Sequence, residues 1–182
     1  MKKSEFIRIY WKNYQKFEKF FIDTDKYVTI DKENNDAFSF EYLSLFVLIC
    51  NEIDAVLNEL CDCFEKERQR NIGLKMSVLR ANIPNLRNAQ VETLPEFGRS
   101  YVPYSGFSDE ESGDWWKSYN NIKHSRSKID KKTKKPYYQQ ANLKNVFESL
   151  SALYLALNLL FEMCEDDTDV KLESRVFGKI NM

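Results

Sequence analysis

The sequence predicts a mainly α fold, an antiparallel helical bundle of about four main helices that forms one domain over residues 1–182 and carries an irregular insertion at about 71–113. Apolar side chains recur at three- and four-residue intervals over four long windows, which gathers them on one face of a helix. Glycine and proline number only 5 and 4, too few to cut the chain into the many short pieces of an all-β fold. Hydrophobic residues make up 43% and aromatic ones 14%, enough for one sizeable core and unlike a disordered chain.

The first helix is expected over residues 4–22, capped by Ser4, with Phe6, Ile7, Tyr10, Tyr14, Phe17, Phe20 and Phe21 at helical spacing. These rings read as core. Aromatic faces such as Phe17, Phe20 and Phe21 are rarely left exposed, so the chain is also expected to self-associate as a homodimer. Residues 23–37 break the period: Tyr27 to Ile30 suits a short extended piece, and Asp31 to Asp36 a polar turn. The longest helix is expected over about 39–69 behind an N-cap at Ser39. Its stripe is Leu43, Phe46, Val47, Cys50, Ile53, Leu57, Leu60, Cys61 and Phe64, and it runs out through the mixed charges of Glu65 to Arg70. Asp54 falls inside the stripe, and an unpaired buried carboxylate is costly, so structural pairing with another helix is expected.

In the insertion, residues 71–79 suit a short helix, and Val91–Leu94 and Arg99–Val102 suit a hairpin around Pro95-Glu96-Phe97-Gly98. Its apolar content is too small to bury itself, and irregular segments of this length are often functional. A helix begins at Trp115, capped by Asp114 or Ser112, and ends near residue 125. The last helix, about 140–165, presents Leu143, Val146, Phe147, Leu150, Leu153, Tyr154, Leu157, Leu160, Phe161 and Cys164 to the core. The centre of that core should contain Phe46, Cys50, Ile53, Leu57, Leu150, Leu153 and Leu157. Acidic Glu165 to Asp169 oppose the dipole of a helix C-terminus and mark its end. Beyond them, residues 174–180 read as a short strand or as part of a loose tail at about 168–182.

The chain carries 27 Lys and Arg against 28 Asp and Glu, a net charge of −1. That balance excludes a global electrostatic case for nucleic acid or membrane, and any such case must be local. The most apolar run, Leu150 to Phe161, is too short to span a bilayer, so no membrane association is expected. No uninterrupted apolar segment follows Met1-Lys2-Lys3, so no secretory signal is read. Cys50, Cys61 and Cys164 sit on helix faces as small hydrophobes. Cys61 and Cys63 lie on nearly opposite sides of a helix, which suits no shared metal. No metal or other cofactor is expected, and a reducing cytoplasmic compartment fits the thiols.

The segment Trp115-Trp116-Lys117-Ser118-Tyr119-Asn120-Asn121-Ile122-Lys123-His124-Ser125-Arg126 holds the only histidine of the chain. At about 100° per residue, Trp115, Tyr119, Ile122 and Arg126 share one side, and Lys117, Asn120 and His124 gather on another. The polar group is either a solvated face or a site. If a site, His124 is the acid or base, Asn120 orients, and Lys117 holds a phosphate. From Lys123 to Lys135 there are seven lysines or arginines and one acid. A run of this kind is either a solvated loop or a phosphate-binding one. Tyr137 and Tyr138 follow it and place aromatics beside positive charge, which favours RNA through Lys123, Arg126, Lys131, Lys132, Lys134 and Lys135.

The order of elements resembles a family of uncharacterised prokaryotic and prophage-associated proteins. The residues that carry this are the Ser39-to-Asp54 helix with Glu52-Ile53-Asp54, the Trp-Trp-x3-Asn-x3-His segment, and the helix opening Ala141-Asn142-Leu143-Lys144-Asn145. More distantly, the chain is similar to HEPN domains, helical bundles of defence systems, toxins and RNA-processing proteins. Their ribonuclease motif runs from an arginine, through a polar residue, to a histidine. Asn120 and His124 match the last two, and Tyr119 stands where the arginine would be. The resemblance implies a helical bundle with an RNA-related role; the absence of the motif arginine favours a binding or regulatory bundle without catalysis, in phage defence or a mobile element, with RNA or a protein as partner. The alternative it implies is a metal-independent ribonuclease acting through His124 across a dimer.

Overall fold

The computed structural model describes residues 1–65, 71–108 and 111–182. The chain opens with α1 (Lys3–Phe6), widens into a π-helical stretch at Ile7–Trp11, and continues as α2 (Lys12–Asp23). A π turn inserts one residue into the helical repeat. Here it puts Phe6 and Trp11, five apart, on the same buried side as Tyr14, Phe17 and Phe21. The expected stripe lacked Trp11 for that reason. Phe17 and Phe21 are buried and Phe20 is half-buried against the chain's own core. The exposed aromatic face on which self-association was expected is therefore filled internally. Ser4 does not cap the helix: its N–H and hydroxyl both donate to the Asp167 carboxylate, at 2.8 and 2.5 Å.

Residues 23–37 hold two 3-10 turns, Thr24–Lys26 and Lys32–Asn34, and no strand forms at Tyr27 to Ile30. Helix α3 (Phe40–Asp62) starts where expected, with the Ser39 hydroxyl accepting the Tyr42 N–H at 3.0 Å. It ends earlier than expected, because the N–H groups of Cys63, Phe64 and Glu65 turn back onto the carbonyls of Leu60 and Cys61. Residues 66–69 of the expected helix lie outside the described residues. Helix α4 (Ile72–Asn82) is capped by Asn71. Lys75 on it is 2% exposed and meets Asp54 at 2.6 Å, the pairing that the position of Asp54 demanded.

The insertion forms the expected hairpin. Strands β1 (Gln90–Thr93) and β2 (Ser100–Tyr101) pair antiparallel, with Val91 opposite Tyr101. Gly98 in the connection has φ +55°, a left-handed value that disfavours any residue with a Cβ. The tail is not loose. Strand β3 (Phe177–Asn181) pairs with the other edge of β1, giving the order β2-β1-β3. Two causes pin it: Val176 and Phe177 are buried, and an unpaired β1 edge would leave backbone polar groups without partners. A third pin is Glu18, fully buried on α2, which accepts from the Tyr14 and Ser174 hydroxyls and the Arg175 N–H. Burial pushes the Glu18 carboxyl up, while these donors pull it down.

Helices α5 (Asp114–Ser125) and α6 (Leu143–Glu162) complete the chain. Residues 137–140, expected to open the last helix in part, form a 3-10 turn, and Asn142 caps α6 by accepting the Asn145 N–H at 3.0 Å. All seven residues expected at the core's centre are at most 1% exposed. Helices α3 and α6 pack against each other more extensively than any other pair. They begin side by side, the N–H groups of Leu143 and Lys144 donating to the carbonyls of Ala37 and Asn35. At their far ends Glu59 and Cys164 both act on the Tyr10 hydroxyl. This central pair therefore runs in one direction, and an antiparallel arrangement does not describe it. Among the described residues no helix is long and apolar enough to cross a membrane.

Candidate nucleic-acid interface

Helix α5 is anchored by its aromatic face. Trp115, Trp116, Tyr119 and Ile122 are buried. The Trp115 indole donates to the Pro103 carbonyl at 2.9 Å, and the Tyr119 hydroxyl to Asn51 at 2.5 Å. Burial pushes the Tyr119 hydroxyl up to about 12, so it stays a neutral donor. Neither Asp114 nor Ser112 caps the helix; the N-cap is Gly113. A Cβ there would stand 2.5 Å from the Phe107 ring, so close packing selects glycine over a polar cap.

The opposite face is open. His124 is exposed in the last turn of α5, and Asn120 is half-buried. Neither side chain has a hydrogen-bond partner among the described residues. Lys117 is held elsewhere: its ammonium pairs with Glu111 at 3.0 Å and Asp114 at 4.0 Å. It also stands seven residues before His124, about 10 Å along the helix axis. The three candidate catalytic residues share a side of one helix but do not converge. Arg126 is not on the buried side; it is the exposed C-cap residue.

Beyond the helix the chain makes an ordered loop. The Tyr138 N–H donates to the Arg126 carbonyl, the Tyr137 N–H to Lys128, and the Asp130 N–H to Lys135. At the tip the Asp130 carboxylate accepts the N–H groups of Lys132 and Thr133, at 2.8 and 2.7 Å. Those donors hold its pKa below the ordinary 3.8. The one acid in the basic run is thus turned inward to its own backbone. Lys123, Arg126, Lys131, Lys132, Lys134 and Lys135 are all exposed, and among the described residues none of them makes an ion pair. Lys123 lies 5.5 Å above the Tyr119 ring.

At the base of the loop the aromatics extend further than the sequence suggested. Tyr138 meets Phe38 edge-on at 5.6 Å and stacks on Phe40 at 6.3 Å with the planes 6° apart. Phe40 is 71% exposed. Phe38 and Phe40 flank the cap of α3, some hundred positions earlier in the chain, and only the tertiary fold brings them here. Flat exposed rings beside unpaired cations are what a single strand needs, a surface for bases and a field for phosphates. Among the described residues no group of three or more His, Cys, Asp or Glu side chains is placed to hold a metal ion. No family model, no curated protein and no solved structure matches this chain.

Proposed function

We propose that the chain is a non-catalytic binding bundle whose loop at residues 126–135 holds single-stranded RNA, in the phage-defence or mobile-element setting that the sequence resemblance implies. One observation carries the reading: an ordered basic loop without ion pairs among the described residues abuts Phe40, which is 71% exposed and stacks on the half-buried Tyr138. Cations supply the affinity through the phosphates, and the rings take successive bases without demanding a sequence. All these groups come from one copy, so the proposed site works in a single chain.

Catalysis is not part of this reading. An acid–base histidine is oriented by a second group, and His124 has none among the described residues. The position that matches the motif arginine holds Tyr119, whose hydroxyl is committed to Asn51. Its neighbour Lys123 is nearest in charge, and it lies over the Tyr119 ring.

The test is titration of a labelled single-stranded RNA across a salt series. Replacing Lys131, Lys132, Lys134 and Lys135 by glutamine should weaken binding and flatten its salt dependence, by about 0.7 in slope for each phosphate that is no longer neutralised. Phe40→Ala should weaken binding by about 1–3 kcal/mol if it stacks one base, with the salt slope unchanged. His124→Ala should leave affinity nearly as it was, and RNA incubated with the wild type without metal should stay intact. A salt slope unaltered by the fourfold lysine change would overturn the reading, and metal-free cleavage that disappears in His124→Ala would restore the ribonuclease alternative.

A further inference from the structure

A cavity of about 350 Å³ lies against the basic loop, between α5, the 3-10 turn at Tyr137–Gln140 and the start of α6. Thr133 and Lys135 of the loop belong to its lining. The aromatic group adjoins it as well: Asn142, also in the lining, is bridged through its backbone to Phe38, and Phe38 meets Tyr138 edge-on. The charges of the lining balance, Asp36 and Asp114 against Lys135 and Lys144, so nothing there favours a further phosphate. The first N–H groups of α6 form no anion hole either. Those of Leu143 and Lys144 donate to the Ala37 and Asn35 carbonyls, and that of Asn145 donates to the Asn142 side chain at 3.0 Å.

Neutral amides remain, and each has one end tied down. The Asn142 Oδ1 accepts the Asn145 N–H, which leaves its Nδ2 open. The Asn145 Nδ2 donates to the Gln140 carbonyl at 2.8 Å, which leaves its Oδ1. The Gln139 Nε2 donates to the Tyr138 hydroxyl at 3.4 Å, which leaves its Oε1. Among the described residues these three open atoms have no hydrogen-bond partner, and none of them is a buried unpartnered atom. All three therefore keep surface that a ligand can reach. The lining offers one donor and two acceptors, and backbone groups already fix the orientation of the two asparagines. A base with an exocyclic amino group carries the complementary set, amino N–H donors beside a ring nitrogen that accepts. Uracil carries the reverse, one N–H between two carbonyl oxygens. The volume lies near the lower end of ligand sites, which run from about 300 to 1,000 Å³, and suits one base rather than a stack of them.

We infer that this cavity takes one base of the strand held on the loop, and selects a base with an exocyclic amino group over uracil. The inference rests on the RNA reading above and adds to it. The exposed Phe40 ring takes any base, and the amides supply a choice at one position.

Cytosine and uracil decide the matter, because their rings are the same size and they differ in this edge alone. The experiment is fluorescence anisotropy of the full chain with labelled RNA octamers of cytidine and of uridine at one salt concentration. The two strands carry the same phosphates, so the ratio of their Kd values is free of the loop's electrostatic contribution. The cytidine octamer should bind about tenfold tighter, the discrimination of a two-point base contact. Asn142→Asp keeps the cap, since aspartate caps a helix as well as asparagine does, and replaces the open donor by an acceptor. Its added charge weakens both strands alike, and the ratio should fall to one or below. Should that variant fail to fold, Gln139→Leu removes an acceptor without touching the cap and should also reduce the ratio. Octamers that bind equally would overturn this inference and leave the loop reading in place. A preference for cytidine that neither variant alters would place the choice elsewhere and overturn it too. Failure of both strands to bind would overturn both readings.

Discussion

Replacing Asp54 should cost far more than replacing the lysine that faces it. Lys75 is 2% exposed and its ammonium has two acceptors, the Asp54 carboxylate at 2.6 Å and the Asp54 backbone carbonyl at 3.2 Å. Asp54→Ala removes the only countercharge among the described residues and leaves a buried ammonium on one carbonyl. Removing one partner of a buried pair costs about 3–5 kcal/mol. Asp54 is 49% exposed, so water reaches the pair from that side and the lower end, about 3 kcal/mol, applies. For a chain of this length that corresponds to a fall in Tm of about 6–12 °C. Lys75→Met removes the ammonium itself, fills its place with an apolar chain of similar length, and leaves a carboxylate that is already half in water. Such replacements are often neutral or stabilising, so its Tm should stay within about 3 °C of the wild type. Thermal and urea unfolding of the two variants and the wild type measure both. Equal losses would refute the reasoning, because packing of the lysine stem, and not an orphaned charge, would then set the cost.

Leu153→Ala should lower stability by about 2–5 kcal/mol, since Leu153 is fully buried; the urea midpoint measures this, and a loss under about 1 kcal/mol would remove the residue from the core's centre. Gly98→Ala should cost about 1–2 kcal/mol through its left-handed backbone alone, because its Cβ would meet nothing closer than the Pro95 carbonyl at 3.9 Å; Gly98→Asn, which tolerates that conformation better, should recover part of the loss. Glu18 should make stability fall as pH rises from 4.5: its folded carboxyl titrates above the ordinary 4.5 because burial disfavours the charge, so folding takes up a proton in that window. Its contribution is greatest below 4.5 and disappears as pH climbs through the folded value; Glu18→Gln should flatten that part of the stability–pH curve, and an unchanged curve would reject the assignment.

Much of the fold was legible because helix faces are local. The stripes of α3 and α6 lie within one window each, and so do the cap at Ser39 and the turn at Gly98. Each failure has a non-local cause. The π stretch at Ile7–Trp11 shifts an aromatic face by one residue, and a period that assumes a uniform helix discards Trp11. The tail looked loose because its partners, Glu18 and the edge of β1, lie some 160 and 90 residues earlier. The common direction of α3 and α6 follows from backbone hydrogen bonds between residues 35–37 and 143–144, and no stripe encodes helix direction.

The site divides along the same line. Exposure of the basic run could be read from composition, and the inward turn of Asp130 follows from its place two and three residues before the N–H groups it accepts. His124 drew attention because it is unique, but uniqueness in a sequence says nothing about convergence. A catalytic group needs neighbours, and those depend on which faces the tertiary packing leaves open. Arg99 is the opposite case. Nothing in Phe97-Gly98-Arg99-Ser100-Tyr101 sets its arginine apart from the others in the chain. Its significance rests on three facts that exist only after folding: Asn35 arrives to hold one edge of the guanidinium, Phe147 lies beneath it, and no carboxylate among the described residues meets the other edge. A missing partner has no local pattern, so an unsatisfied buried charge is visible only when every neighbour of that charge can be named.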